Sequence, residues 1–268
     1  MRRQEYPRLA ACCRSGANES SMSDTETKTD SSPKAHTRVI AVGDCNTYGL
    51  HEPPIGNTIL DKFCRCLELA GYPTVSQNLG CGMATSREGL VLMTERAQPA
   101  DIALINFGLV DSWITSVPKL YVPYFPDNRV KKLTRKALKY TKRKLRSPLI
   151  RRFIPTGNVV PIDEFHRNIE TLVGIARRLN PQTWIVLWGS PPVQNDNRRN
   201  EELLRYNAEL HDIANDLGAS YFPTKPLIES LTTTEAFLDN VHLNEVATAG
   251  IATGIAHTYL SQRQRTAA

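Results

Sequence analysis

Thr37-Arg-Val-Ile-Ala-Val-Gly-Asp-Cys-Asn-Thr-Tyr-Gly49 is the stretch from which the chain is best read. Val39 to Val42 is a short apolar run that ends on Gly43, the pattern of a buried strand. Asp44 and Cys45 follow in the turn at its C-terminal end. In open α/β sheets ligands bind outside the carboxyl ends of the strands, so a cysteine delivered there is a candidate nucleophile.

Outward from this stretch, apolar strands alternate with helical patterns. Thr58 to Ala70 carries Ile59, Phe63, Leu67 and Ala70 at helical spacing, with Asn57 as the expected cap and Gly71 as the stop. Cys64 and Cys66 on it read as small packing residues. Thr74 to Asn78 reads as a second strand, running into the glycine-bearing turn Leu79-Gly-Cys-Gly-Met-Ala84. Ser86 to Ala97 is a helix, and Asp101 to Phe107 a strand that ends on Gly108-Leu-Val-Asp111. Ile162 to Leu179 is a helix, Thr183 to Trp188 a buried strand, Arg199 to Leu217 a helix, Ala219 to Phe222 a fifth strand and Val246 to Leu260 the closing helix. Trp184 and Trp188 read as packing, and Trp113 as either a pocket wall or a core residue. The alternation implies an α/β fold, a three-layer α/β/α sandwich around a five-stranded, mostly parallel sheet.

With 268 residues and 41% hydrophobic content, such a domain supports its own core. Cys12, Cys13, Cys45, Cys64, Cys66 and Cys81 follow neither a disulfide framework nor a zinc pattern, so no metal and no cofactor are expected. No run approaches the roughly 18 apolar residues of a membrane span, and a cytoplasmic location is the default expectation. Residues 1–36 are polar and are expected to form a disordered tail, with 263–268 as a C-terminal tail around a domain of 37–262.

An insertion at about 114–160 interrupts the alternation. Between Arg129 and Arg152 stand twelve lysines and arginines and no acid, while the whole chain carries only +6. The basicity is therefore local. Val130, Leu133, Ala137, Leu138, Thr141 and Leu145 fall roughly on one face of an amphipathic helix. The bland reading is a solvated charged face. The functional reading is a dock for an anionic partner (an acidic glycan, a nucleotide-linked donor, a carrier protein or an anionic bilayer surface), with Arg135, Lys136, Lys139 and Arg143 as contacts. Nucleic acid is not the expected partner, since few aromatics beyond Tyr140 interleave the charges. The sequence does not indicate an oligomeric state.

A thiol nucleophile needs a base, and the base an orienting group. Of six histidines, His242 has the best-placed carboxylate, Asp239 three residues before it, ahead of the closing helix. In a turn that spacing lets the carboxylate fix the imidazole tautomer. His51 is either a pocket residue or an ordinary loop histidine.

Taken together, these residues resemble the SGNH (GDSL) hydrolases. Gly43-Asp-Cys-Asn-Thr-Tyr-Gly49 resembles the first block of that family, with Cys45 at the serine position. Asn78-Leu-Gly-Cys-Gly82 resembles the second, which supplies a glycine amide to the oxyanion hole. Gly108-Leu-Val-Asp111 stands where the family has Gly-x-Asn-Asp, and Asp239-Asn-Val-His242 matches the fifth block. The resemblance spans about residues 37 to 262 and implies the SGNH-hydrolase, flavodoxin-like fold. It implies a Cys45–His242–Asp239 triad, an oxyanion hole of the amides of Cys45 and Gly82 or Gly80, and supporting roles for Asp44 and Asp111. The implied activity is that of an esterase, thioesterase or acyltransferase, acting on a small-molecule or glycan acyl substrate such as an esterified sugar. Two departures matter. Cys45 replaces serine, and its thioester favours transfer to amines and thiols. Val110 replaces the oxyanion-hole asparagine, for which Asn46, Asn78 and Asn106 are candidate substitutes. An alternative is a catalytically inactive module that binds an anionic glycan or carrier through the insertion. A third is a thiol redox protein using Cys45 and Cys81.

Overall fold

Along each central strand the side chains alternate between two helical layers. The computed structural model describes residues 36–49, 57–117, 121–145 and 156–267. The expected N-terminal tail up to residue 35, and His51, lie outside the described residues. Five strands form one sheet: β1 (Thr37–Gly43), β2 (Thr74–Gly80), β3 (Ile102–Asn106), β6 (Trp184–Trp188) and β7 (Ser220–Phe222), in the order β2-β1-β3-β6-β7. Every pairing in it is parallel. Val39, Ala41, Ile102, Leu104, Val186 and Trp188 face one layer, built from α2 (Ile59–Leu69) and α9 (Glu245–Ala267). Ile40, Val42, Ala103, Ile105, Ile185 and Leu187 face the other, built from α3 (Ser86–Arg96), α5 (Ile162–Leu179) and α6 (Asn197–Asp216). The three-layer fold expected from the sequence is thus observed, with Cys64 and Trp188 in the core and Trp184 packed against it.

This order places a topological switch point between β1 and β3. The chain leaves those two neighbours toward opposite layers, and a crevice opens at their carboxyl ends.

Helix boundaries differ from expectation at α2 and α9. Thr58, not Asn57, caps α2, because Asp61 completes a reciprocal capping box with it. The closing helix runs to Ala267 rather than ending at Leu260. Its extra turn is anchored where Trp184 Nε1 donates to Gln262 (2.6 Å) and Arg263 donates to the Tyr259 hydroxyl (2.8 Å). The insertion is pinned at its base, where β4 (Ile114–Ser116) pairs antiparallel with β5 (Thr156–Asn158).

The insertion carries α4 (Arg129–Leu145). Val130 and Leu133 on its apolar stripe are exposed. Arg135 is engaged within the protein. It donates to the Pro123 carbonyl at 2.7 Å, pairs with Asp127 and stacks 4.6 Å from the Tyr124 ring centroid. Lys136 and Lys139 are exposed, and the Arg143 side chain lies outside the described residues. Between β7 and α9 the chain adds two short helices, α7 (Lys225–Glu229) and α8 (Thr233–Ala236).

Candidate active site

Cys45 does not sit in an open turn but is the first residue of a one-turn helix, α1 (Cys45–Tyr48), directly after β1. Asp44 caps that helix, its Oδ1 accepting the Asn46 N–H at 2.9 Å. The cap has no room for solvent. Asp44 is fully buried, and its Oδ2 has no hydrogen-bond partner among the described residues. Burial raises its pKa to about 7; the Asn46 amide opposes this, Asp111 adds to it and Arg199 pulls it back. The Cys45 thiol, half-buried, is pushed far above the usual cysteine range by burial and then by the Asp44 charge. Its own amide, the Asn46 amide and Arg199 act in the opposite sense without prevailing. Cys45 therefore rests as a neutral thiol.

Asp239 and His242 sit on a tight loop just before α9. The His242 Nδ1 is 2.7 Å from Asp239 Oδ2, and the backbone N–H groups of Val241 and His242 both donate to Oδ1, each at 2.7 Å. Burial would raise the Asp239 pKa. The hydrogen bonds from the His242 ring and from the two backbone amides outweigh it and hold the carboxyl at about 2. The carboxylate thus stays ionised and fixes the imidazole through Nδ1, leaving Nε2 for proton transfer. The loop is closed by Leu238 N–H donating to His242 O and by an isolated bridge from Phe237 to Leu243.

Two contacts bring this loop to the turn that carries Cys45. The Leu243 N–H donates to Asn46 Oδ1 at 3.3 Å, joining the neighbour of His242 to the neighbour of Cys45. Cys45 and Val241 also pack on the same small apolar cluster of Leu109, Val193 and Leu203. Gln194, after β6, clamps the loop from a third side. Its N–H donates to Asn240 O, and its Nε2 to Asp239 O, both at 2.9 Å. No hydrogen bond joins the Cys45 thiol to His242 among the described residues. In ligand-free sites such contacts are often long and tighten on substrate binding.

The oxyanion side departs from expectation at Gly80. Its N–H donates to Asn78 Oδ1 at 2.8 Å, so that amide is consumed. A Cβ at Gly80 would lie 2.4 Å from Tyr48 N, so glycine is needed there for the close approach of β2 to α1. The Gly82 N–H has no hydrogen-bond partner among the described residues, and the Cys45 N–H is directed at its own thiol rather than held by another residue. Val110 is buried and offers no donor. Asn78 Nδ2 is tied to Thr47 O (3.1 Å), and Asn106 Nδ2 to Trp188 O (2.7 Å). Of the three asparagines, Asn46 alone keeps a buried, unpartnered Nδ2. Asp111 is a structural tie: its Oδ1 accepts from both N–H and Oγ of Ser86, and its Oδ2 from Gly108 N–H.

One residue that sequence reading passed over also reaches this site. Arg199, in the first turn of α6, lies 4.2 Å over the Trp113 ring, and its charge is felt by Cys45 and Asp44. In the sequence it is one member of a charged pair, Arg198-Arg199, at a helix start, with nothing to mark it. Trp113 lines a cavity of about 580 Å³ while packing, partly buried, against the core, so it is both pocket wall and core neighbour.

Comparisons with known proteins agree with this fold. The fold is shared with a lipase/acylhydrolase from Enterococcus faecalis at a TM-score of 0.58 and 14% identity, covering 84% of this chain and 96% of that one. It is shared with a mutant of Axe2, an acetyl-xylooligosaccharide esterase from Geobacillus, at 0.55 and 18%, covering 85% and 95%. It is also shared with Est24, a carbohydrate acetylesterase from Sinorhizobium meliloti, at 0.53 and 14%, covering 84% and 99%. A search of curated protein sequences found no match. The sequence matches the GDSL-like Lipase/Acylhydrolase family over residues 41–248, most of the described domain, so the chain belongs to that family and its reaction class is ester hydrolysis.

Proposed function

We propose that the chain hydrolyses or transfers an acyl group carried on a sugar, with Cys45 as nucleophile, His242 as general base and acid, and Asp239 as its orienting carboxylate. The observation that carries this is the pairing of Asp239 with His242 on a loop hydrogen-bonded through Leu243 to Asn46, beside Cys45. Support for a sugar ester comes from the printed substrates of Axe2 and Est24, which share the fold.

Because the thiol is neutral at rest, the proton leaves during attack. His242 Nε2 takes the Sγ proton as sulfur bonds to the acyl carbon. The oxyanion that forms is held by the Cys45 and Gly82 amides, with Asn46 Nδ2 as a candidate third donor in place of the missing asparagine. The imidazolium then protonates the departing alkoxide as the carbon–oxygen bond breaks, leaving a Cys45 thioester. Water, or an acceptor hydroxyl, is deprotonated by His242 and attacks the thioester. The acid or the new ester departs, and the proton returns to sulfur. Intact-mass spectrometry of protein quenched during turnover of acetylated xylo-oligosaccharides should show an acyl adduct of about 42 Da that maps to Cys45 and is absent from Cys45→Ala. Full turnover by Cys45→Ala would overturn the assignment.

A second reading is favoured by Val110 and the suppressed thiol together: an inactive module that binds an anionic glycan or carrier through Lys136 and Lys139 of α4. It expects no adduct under a panel of activated esters, and salt-sensitive binding that survives Cys45→Ala but not charge reversal at those two lysines.

A further inference from the structure

The cavity of about 580 Å³ lies at the carboxyl end of the sheet, between the insertion and the start of α6. Trp113, Ser116 and Thr156 line it from the base of the insertion, and Asp196, Arg198 and Arg199 from the other side. Arg199 is its unusual member. The guanidinium is stacked on Trp113, and its Nε and Nη2 are buried with no hydrogen-bond partner among the described residues. Buried donors left unmade are costly, the more so on a charged group.

The two nearby acids do not meet this need. Asp196 Oδ1 accepts the backbone N–H of Arg199 at 3.0 Å, capping α6. Asp44 Oδ1 accepts from Asn46. Neither forms a hydrogen bond with the guanidinium.

The unpaired atoms are a matched set. Nε and Nη2 form one edge of the guanidinium, two parallel donors spaced for the two oxygens of a carboxylate or phosphate. The same edge is used elsewhere in this molecule. Arg87 Nε and Nη2 hold Glu164 Oε1 and Oε2 at 2.5 and 2.7 Å. Arg199 holds that fork with no acid in it, closed to water in the ligand-free molecule, beside the turn that carries Cys45.

We propose that this cavity is an anion subsite, in which the Arg199 guanidinium meets a carboxylate or phosphate on the sugar whose ester Cys45 attacks. The buried Ser116 supplies a further hydroxyl, and the exposed Arg198 guards the rim. The place of the subsite in a reaction rests on Cys45 being the nucleophile; anion binding itself rests on Arg199 alone.

Two measurements separate these dependencies. In the first, calorimetry on Cys45→Ala compares glucuronate, glucose 6-phosphate and glucose as probes. At least one anionic sugar should bind about tenfold or more tightly than glucose, and whichever wins distinguishes carboxylate from phosphate. Adding Arg199→Gln should weaken that binding by about tenfold to hundredfold. Arg199→Lys, which keeps the charge but loses the fork, should fall between; it decides the question if Arg199→Gln fails to fold. Glucose binding as tightly as both anions, or binding indifferent to both Arg199 substitutions, would overturn the subsite. In the second, the O-acetylated forms of the same sugars are turned over by the unaltered protein, and the ratio of kcat/KM, anionic over neutral, should collapse toward one in Arg199→Gln. Anion binding with no turnover of any ester would refute the catalytic reading and leave the subsite standing. Turnover without anionic preference would do the reverse.

Discussion

Replacing Asp44 with asparagine should make the protein progressively more stable than the wild type as pH rises. Asp44 is buried with one oxygen unpartnered, and burial lifts its pKa from 3.8 to about 7. The folded state thus holds this proton more tightly than the unfolded chain does. The contribution to stability is complete below pH 3.8 and is lost as pH climbs through about 7. At about 1.4 kcal/mol per pH unit, that loss has a ceiling on the order of 4 kcal/mol. Asp44→Asn keeps an oxygen to accept the Asn46 N–H and has no proton to lose. Near pH 4 the two proteins should be close to equal in stability. By pH 8 the variant should be the more stable, by at most about 4 kcal/mol. Asp111, raised by burial to about 6, titrates in the same window, but it is present in both proteins, so the difference curve isolates Asp44.

The assay is urea denaturation followed by circular dichroism at half-unit steps from pH 4 to 8.5. A difference curve that stays flat across that range would refute the burial argument. A second readout tests whether the Asp44 charge reaches the nucleophile. Since Asp44 helps to push the Cys45 thiol up, Asp44→Asn should speed alkylation of Cys45 by iodoacetamide at pH 8, measured by peptide mass spectrometry. An unchanged rate would show that the two groups are not coupled.

Asp239→Asn should leave the loop folded, since one oxygen still accepts the Val241 and His242 amides, yet lower kcat by about 10³–10⁴ because the wrong imidazole tautomer is favoured; a loss under tenfold would contradict the orienting role. Gly80→Ala should destabilise by about 1–3 kcal/mol, because its Cβ meets the Tyr48 backbone, whereas Gly82→Ala, with nothing within 4 Å, should stay within about 0.5 kcal/mol in thermal melts. Val110→Asn should raise kcat by up to about 10² by restoring a donor, with some loss of stability at this buried position. An unchanged rate in folded protein would show that the oxyanion does not form beside residue 110.

Much of this was legible in the sequence, for reasons that differ by residue. The central strands are buried on both faces and so read as apolar runs, and Asp239 and His242 lie close enough in sequence to declare their pairing. Gly80 was misread because its amide is taken by the Asn78 side chain, a contact that follows from local backbone shape rather than residue type. Arg135 looked like a free charge because Asp127, its partner, lies just outside the basic run. β4 and β5 are three residues each, too short for any periodicity to show, and their pairing spans the whole insertion. Arg199 gave no signal at all, since its meaning depends on a tryptophan from another element and on hydrogen bonds it does not make.

The electrostatics of the site tie its two unusual features together. Cys45 stands where the family has serine, and nothing around it has been rebuilt to favour a thiolate. Burial and Asp44 act against ionisation, and α1 is too short to lend much of a helix dipole. In the proposed mechanism Cys45 depends on His242 to remove its proton during attack, as a serine would. Negative charge then develops on the substrate next to Asp44, whose own ionisation would oppose it. Arg199 is the cation that offsets Asp44. An anionic substrate group that meets Arg199 would cancel part of that offset, raise the Asp44 pKa further and draw a proton onto it. Binding would thereby remove one negative charge from beside the sulfur just before the oxyanion forms. The coupling has a sign that can be measured. Near pH 7 anion binding should take up a fraction of a proton from the buffer, and that uptake should vanish in Asp44→Asn.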